Sequence, residues 1–211
     1  GSQDKALLAM TIGQAFDNTV AQYPDGEALV VRHQQLRYTW RQLADAADLQ
    51  ARALLALGLQ AGDRLGIWAP NCAKWCITQI ATAKIGVILV NINPAYRSSE
   101  LEYVLKQSGC QWLVSAGAFK TSDYHAMLQG LVPELAEQAI GKLHSERLPD
   151  LRGVVSLDAQ PPAGFLPWSQ LSELAGSVSV EQLHERQNSL HFDQAVNIQY
   201  TSGTTGFPKG A

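Results

Sequence analysis

From Trp40 to Leu55 the apolar positions Trp40, Leu43, Ala44, Ala47, Ala51, Leu54 and Leu55 recur at i, i+3, i+4 and i+7. That period places them on one face of a helix. Thr39 and Gln42 have capping-box spacing at its start, and Gly58 is the expected stop. Asp45, Asp48 and Arg52 fall on the opposite face, which the pattern predicts to be solvated. An earlier helix begins after Thr11, a plausible N-cap, with Phe16 and Val20 four apart. It ends at the turn Pro24-Asp25-Gly26. Ala28 to Arg32 and Leu36 to Tyr38 then read as two short strands, with polar His33-Gln34-Gln35 between them as a hairpin connection.

Downstream the period alternates between helix and strand. Arg64 to Trp68 is a predicted strand. About Cys72 to Ile85 is a helix apolar on most sides, hence buried, and Gly86 ends it. Val87 to Asn91 is a continuous apolar strand. Ser98 or Ser99 would cap the next helix, with Glu102 three residues after Ser99 and Leu101, Val104 and Leu105 facing inward. Gly109 ends that helix and Trp112 to Ser115 is a further strand. Strand and helix alternating over short links predict an α/β fold, a mostly parallel sheet with flanking helices. After Ala116 the signal weakens. Thr121 to Ile140 reads as helix broken at Gly130 and Pro133, Leu151 to Leu157 as strand, and Ala159 to Gly164 as loop. Trp168 to Leu174 and Val180 to Gln187 read as short helices. Ala195 to Tyr200 alternates like a strand. No repeat, low-complexity stretch or sharp linker divides the chain.

Composition narrows the function classes. The 211 residues are 46% hydrophobic and 17% charged, ordinary for a globular chain. Sixteen Lys and Arg against nineteen Asp and Glu give a net charge of −3. With no dense basic patch, nucleic acid is not the expected partner. No apolar run is long enough for a transmembrane helix; the longest, near Ile85 to Val90, is strand-sized. Cys72, Cys76 and Cys110 have no metal-site spacing, and free buried thiols fit a reducing compartment, by default the cytoplasm. The five histidines are scattered without a metal-binding or catalytic pattern.

Chemistry concentrates at the end of the chain. Tyr200-Thr201-Ser202-Gly203-Thr204-Thr205-Gly206-Phe207-Pro208-Lys209-Gly210-Ala211 follows the last predicted strand. Glycines let a ligand approach backbone N–H groups, successive amides form an anion-binding concavity, and the hydroxyls and Lys209 add donors and a mobile charge. The combination suits a polyphosphate. It is not the nucleoside-triphosphatase loop, because Lys209 follows Pro208 and precedes Gly210 rather than Ser or Thr. Nor is it the dinucleotide fingerprint, since only Gly203 and Gly206 have the required spacing.

The stretch closely resembles the S/T-G-T/S-T-G-x-P-K-G signature of adenylate-forming enzymes. Asn91-Ile92-Asn93-Pro94-Ala95-Tyr96-Arg97 is similar to a segment of many acyl-CoA synthetases, where it shapes the fold; here Pro94 would fix the turn and Arg97 fasten it. The resemblance implies the large N-terminal domain of the acyl-CoA synthetase and adenylation-domain fold. Residues 1–211 would be an incomplete N-terminal AMP-binding domain ending at a phosphate-binding loop, 200–210, with the C-terminal domain absent. It implies ATP, Mg²⁺ and coenzyme A as reactants or cofactors, the latter two bound mainly outside this stretch. Thr201, Ser202, Thr204 and Thr205 would meet phosphate oxygens, with Gly203 and Gly206 giving backbone access. Lys209 would pair with the β- and γ-phosphates, Lys209 and Thr204 serving the reaction directly, and Thr201 would touch the metal. The whole protein would activate a fatty acid to an acyl-adenylate and pass the acyl group to coenzyme A, while this stretch alone would be inactive. A noncatalytic scaffold or weak phosphate-binding module, or adenylation of an amino or aryl acid, is the alternative. Apolar surface left open by the truncation would favour homo-oligomers.

Overall fold

The computed structural model describes residues 8–201 and 208–211. Helix α1, Ile12–Gln22, starts at a complete capping box: Thr11 Oγ1 accepts from Gln14 N at 3.1 Å and Gln14 Oε1 accepts from Thr11 N at 2.9 Å. Strands β1, Glu27–Val31, and β2, Leu36–Thr39, form the expected antiparallel hairpin as a separate small sheet. Helix α2, Trp40–Ala56, begins at the capping box of Thr39 and Gln42.

The central sheet contains β3, Arg64–Trp68; β4, Ile88–Ile92; and β5, Cys110–Ser115. Helix α3, Ala73–Ile85, joins the first two and α4, Ser98–Ser108, the last two. Strands β6, Ala118–Phe119, and β7, Ser122–Asp123, make a minute hairpin before α5, Tyr124–Leu131. Then come β8, Gly153–Ser156; β9, Phe165–Pro167; α6, Leu171–Ala175; α7, Val180–Asn188; β10, Asn197–Thr201; and β11, Lys209–Gly210. The seven strands lie in the order β11-β10-β4-β3-β5-β8-β9, parallel at every pairing except β10 with β11.

Strand alternation divides the interior into two cores. Leu65, Ile67, Leu89, Trp112 and Val114 pack under α2, α3, α6 and α7, through residues such as Leu54, Ile85, Leu171 and Leu183. Trp68, Val90, Ile92 and Leu113 pack under α4 and α5, through Leu101, Val104, Tyr124 and Leu128. Gly66 belongs to the second face, where a Cβ would lie 2.9 Å from Leu113 Cδ1, so the adjoining side chains fill the space a larger residue needs. A register shift between Arg64–Cys110 and Leu65–Trp112 turns Cys110 onto the face of Leu113.

Several expectations change. The helix read from Thr121 to Ile140 is regular only over Tyr124–Leu131, because Ser122 and Asp123 pair with Ala118 and Phe119, and the Asp123 carboxylate caps Ala126 N at 2.9 Å. Pro133 then opens a separate 3-10 turn, Pro133–Ala136. The cap of α4 is Arg97, one residue earlier than expected, with the Glu100 carboxylate accepting from Arg97 N at 2.9 Å. Glu102 instead binds Lys106 and Arg147. Strand β8 is shorter than the expected Leu151 to Leu157, and β9 was not anticipated. Two charges placed on a solvated face of α2 have partners. Arg52 donates to Val178 O at 2.6 Å and Ala175 O at 2.9 Å, closing the end of α6. Asp48 pairs with Lys84, which is 2% exposed and also lies 2.9 Å from Asp17. Gln187 Nε2 reaches the other Asp17 oxygen at 2.6 Å, so one polar cluster joins α1, α2, α3 and α7.

Candidate functional site

After β3 the chain turns to α3 on one face of the sheet; after β4 it turns to α4 on the other. The carboxyl ends of these adjacent strands therefore flank a topological switch point, where open α/β sheets bind ligands. Its floor is filled by packed side chains. The Trp68 and Tyr124 rings stack with centroids 3.5 Å apart and planes 7° from parallel. Trp68 Nε1 donates to Asn93 O at 3.2 Å and the Tyr124 hydroxyl to Pro94 O. Burial pushes the Tyr124 phenol up to about 12, so it remains a donor at neutral pH. Arg97 Nη1 meets Ser122 Oγ at 2.6 Å. The Asn91 to Arg97 segment thus has the structural role expected of it, with Arg97 as a fastener.

Beside this floor, β10 runs parallel to β4, and Asn91 Nδ2 donates to Gln199 Oε1 at 3.1 Å. The glycine-rich stretch leaves from the carboxyl end of β10. Its two feet are not loop, as the 200–210 boundary had it, but paired strands: Tyr200 faces Gly210 and Thr201 faces Lys209. Proline explains the entry, since Pro208 lacks an N–H and precedes β11 without leaving a strand donor unpaired. Direct cross-strand partners share a face. Thr201 and Lys209, both exposed, are therefore neighbours on one face, and Thr201 Oγ1 lies 3.5 Å from Lys209 O. Tyr200 and Gly210 share the other face.

Of the residues expected to hold phosphate, the structure brings Thr201 and Lys209 together. Ser202, Gly203, Thr204, Thr205 and Gly206 lie outside the described residues. Thr201 as a metal ligand supplies one neutral oxygen, and among the described residues no group of three or more His, Cys, Asp or Glu side chains is placed to hold a metal. A magnesium ion at this place would take most of its ligands from a bound triphosphate and water, the usual arrangement for that ion.

Sequence reasoning missed the anchor of this hairpin. Tyr200 is 7% exposed and its hydroxyl donates to Gln107 Oε1 at 2.9 Å. Burial, and then the neighbouring Cys110, Tyr103 and Tyr96, push its phenol up to about 12. Alternation of Ile198 and Tyr200 was the available signal for a buried side; nothing in the sequence pairs Tyr200 with Gln107. The groove beside them, about 460 Å³, runs between the end of α4 and the hairpin.

A mostly parallel α/β sheet with a polar hairpin at its carboxyl rim places the chain among the open α/β proteins, which bind ligands at that rim. The chain belongs to the AMP-binding enzyme family, whose profile matches residues 16–211. It is 45% identical over 211 residues to the mouse (Mus musculus) medium-chain acyl-CoA ligase ACSF2, mitochondrial, covering 100% of this chain and 34% of that protein. The chain thus spans about a third of the length of the curated relatives it matches. Its fold is shared with Mycobacterium smegmatis MbtA (TM-score 0.74, 23% identity, 96% of this chain and 33% of that one). The long-chain-fatty-acid-CoA ligase FadD1 of Archaeoglobus fulgidus also shares it (TM-score 0.70, 19% identity, 100% of this chain and 38% of that one). Identities this low speak for the fold alone. Among the described residues no helix is long and apolar enough to cross a membrane.

Proposed function

We propose that the protein carrying this chain is an acid–thiol ligase that activates a fatty acid, of medium chain length by its similarity to ACSF2, and transfers the acyl group to coenzyme A. The observation that carries this reading is the similarity to a medium-chain acyl-CoA ligase along the whole chain, signature included. In the first step a carboxylate oxygen attacks the α-phosphorus of ATP; the bond to the bridging oxygen breaks and pyrophosphate leaves. In the second, the thiol sulfur of coenzyme A attacks the acyl carbonyl, loses its proton, and AMP departs.

The residues of this chain serve the first step. Charge accumulates on the leaving pyrophosphate, and preorganised donors aimed at it lower the barrier by about 3 kcal/mol for one good donor. Lys209 supplies a cation and Thr201 a hydroxyl from one face of the hairpin. Ser202, Thr204 and Thr205 are assigned to phosphate oxygens, with Gly203 and Gly206 giving access to backbone N–H groups. Mg²⁺, bound with the triphosphate, would supply further charge neutralisation, Thr201 offering at most one ligand. The free thiols fit any reducing compartment, so they do not choose between the cytoplasm and the mitochondrion named for the mammalian relative.

The test is carboxylate-dependent ATP–pyrophosphate exchange by the whole protein with Lys209→Ala and Thr204→Ala. Each substitution should lower exchange by about a hundredfold, the scale of one lost transition-state donor. Exchange unaffected by either would remove the phosphate assignment. The 211-residue chain alone is expected to show no exchange, and turnover by it would contradict the need for residues beyond this stretch.

A further inference from the structure

We infer that Tyr200, held by Gln107, is the positioning residue that fixes the orientation of the phosphate-binding hairpin toward ATP. The inference rests on the ligase reading above and adds a residue pair to it. Strand β11 pairs with β10 at Tyr200–Gly210 and Thr201–Lys209, and Gln199 and Ala211 exchange two further backbone hydrogen bonds at 2.8 and 3.0 Å. These bonds set the register of the ribbon. Side chains hold it against the end of α4.

The two-residue alternation of a strand makes the restraint directional. Thr201 and Lys209 share one face; Tyr200 and Gly210 share the other. Any rotation of the ribbon that swings Thr201 and Lys209 off their targets must pull Tyr200 out of its seat. That seat is specific. The Tyr200 hydroxyl donates to Gln107 Oε1 at 2.9 Å, while Gln107 Nε2 donates to the Tyr103 hydroxyl at 2.9 Å on the preceding turn of α4. Both polar ends of Gln107 are therefore engaged, and its oxygen is turned toward the sheet. The ring of Tyr200 lies close over Gly210, where a Cβ would come within 3.2 Å of Tyr200 Cζ and 3.1 Å of Ile198 Cγ2. A side chain at position 210 would therefore crowd the Tyr200 ring and Ile198. The raised phenol keeps its proton well above neutral pH, so the anchor does not titrate in the working range. Misplacement of reacting groups by about 1 Å can cost a hundredfold in rate, so a ribbon-orienting contact carries a functional consequence although it touches no substrate.

The experiment measures ATP–pyrophosphate exchange and melting temperature for the whole protein carrying Tyr200→Phe, Gln107→Leu, the double substitution, or Gln107→Glu. Gln107 is exposed, so its variants are expected to fold even where Tyr200→Phe does not. Tyr200→Phe and Gln107→Leu should each raise KM for ATP about tenfold, a fraction of the full misplacement cost. KM for the acid should stay within about twofold under the same positional argument. The double variant should be no worse than either single one, because one contact is lost in all three. Gln107→Glu keeps an acceptor for the Tyr200 hydroxyl and should restore KM for ATP. An additive double variant, equal rises in both KM values, or a lowered melting temperature with KM for ATP unchanged would each overturn the inference. Wild-type protein with no exchange for any acid overturns the ligase reading and this inference with it; active wild type with unaltered variants overturns this inference alone.

Discussion

The polar cluster around Lys84 makes an asymmetric demand on stability. Its ammonium is the buried member, with a side chain 2% exposed, whereas Asp17 and Asp48 are 39% and 34% exposed. Lys84→Met keeps an unbranched stem of similar volume and removes only the charge. Asp17 keeps Gln187, and Asp48, a third exposed, rotates its buried Oδ1 toward water to relieve the lost pair. The loss is that of a rim ion pair, about 1 kcal/mol. Asp17→Asn with Asp48→Asn leaves the ammonium desolvated without a counter-charge, and an uncompensated buried charge costs about 3 kcal/mol or more. Equilibrium urea unfolding followed by tryptophan fluorescence separates the two cases. With a slope of about 2.5 kcal/mol per molar, the midpoint should fall by about 0.4 M for Lys84→Met and by about 1.2 M for the double Asn variant. Equal shifts, or a larger loss for Lys84→Met, would refute the reasoning that the lysine carries the desolvation cost.

Other expectations follow from single sites. Glu102 is held down to about 2 by Arg147 first and Lys106 next. A depressed carboxylate stabilises the fold above its ordinary value near 4.5, and that contribution disappears as pH falls through about 2. Glu102→Gln should therefore flatten the melting temperature against pH between those values, lower it at pH 7, where the contribution is fully present, and change little near pH 2. Gly153→Ala would bring a Cβ within 2.6 Å of the buried Trp112 ring, so a loss of about 3 kcal/mol is expected, readable in the same urea series. Burial pushes the Cys110 thiol up to about 12, and a native alkylation time course at pH 8 should modify Cys72 and Cys76 while Cys110 stays protected until unfolding.

What could be read from the sequence was local. Thr11 as the cap of α1 follows from residue type, and the capping box of α2 from Thr-x-x-Gln spacing, because donors and acceptors three residues apart satisfy each other. The strands β3, β4 and β5 follow from apolar runs between glycine stops. The misread charges share a cause: partners distant in sequence. Asp48 and Arg52 looked solvated because their partners, Lys84 and the end of α6, stand 36 and more than a hundred residues away. The helix expected from Thr121 was cut short by a hairpin whose other strand begins at Ala118, and two capping boxes, Thr11 with Gln14 and Ser179 with Gln182, are not part of the sequence reading. At the candidate site, the type and order of residues pointed to phosphate chemistry. The pairing of Thr201 with Lys209, and of Tyr200 with Gln107, depends on strand register and helix placement and has no local signature.

The central claim is that this chain contributes the phosphate-binding part of a fatty acid-activating ligase. ATP–pyrophosphate exchange by the whole protein, across carboxylic acids from acetate to palmitate, tests it most directly. The account predicts exchange that peaks at medium-chain fatty acids and falls sharply with Lys209→Ala. Exchange confined to amino or aryl acids, or none with any acid, would contradict it.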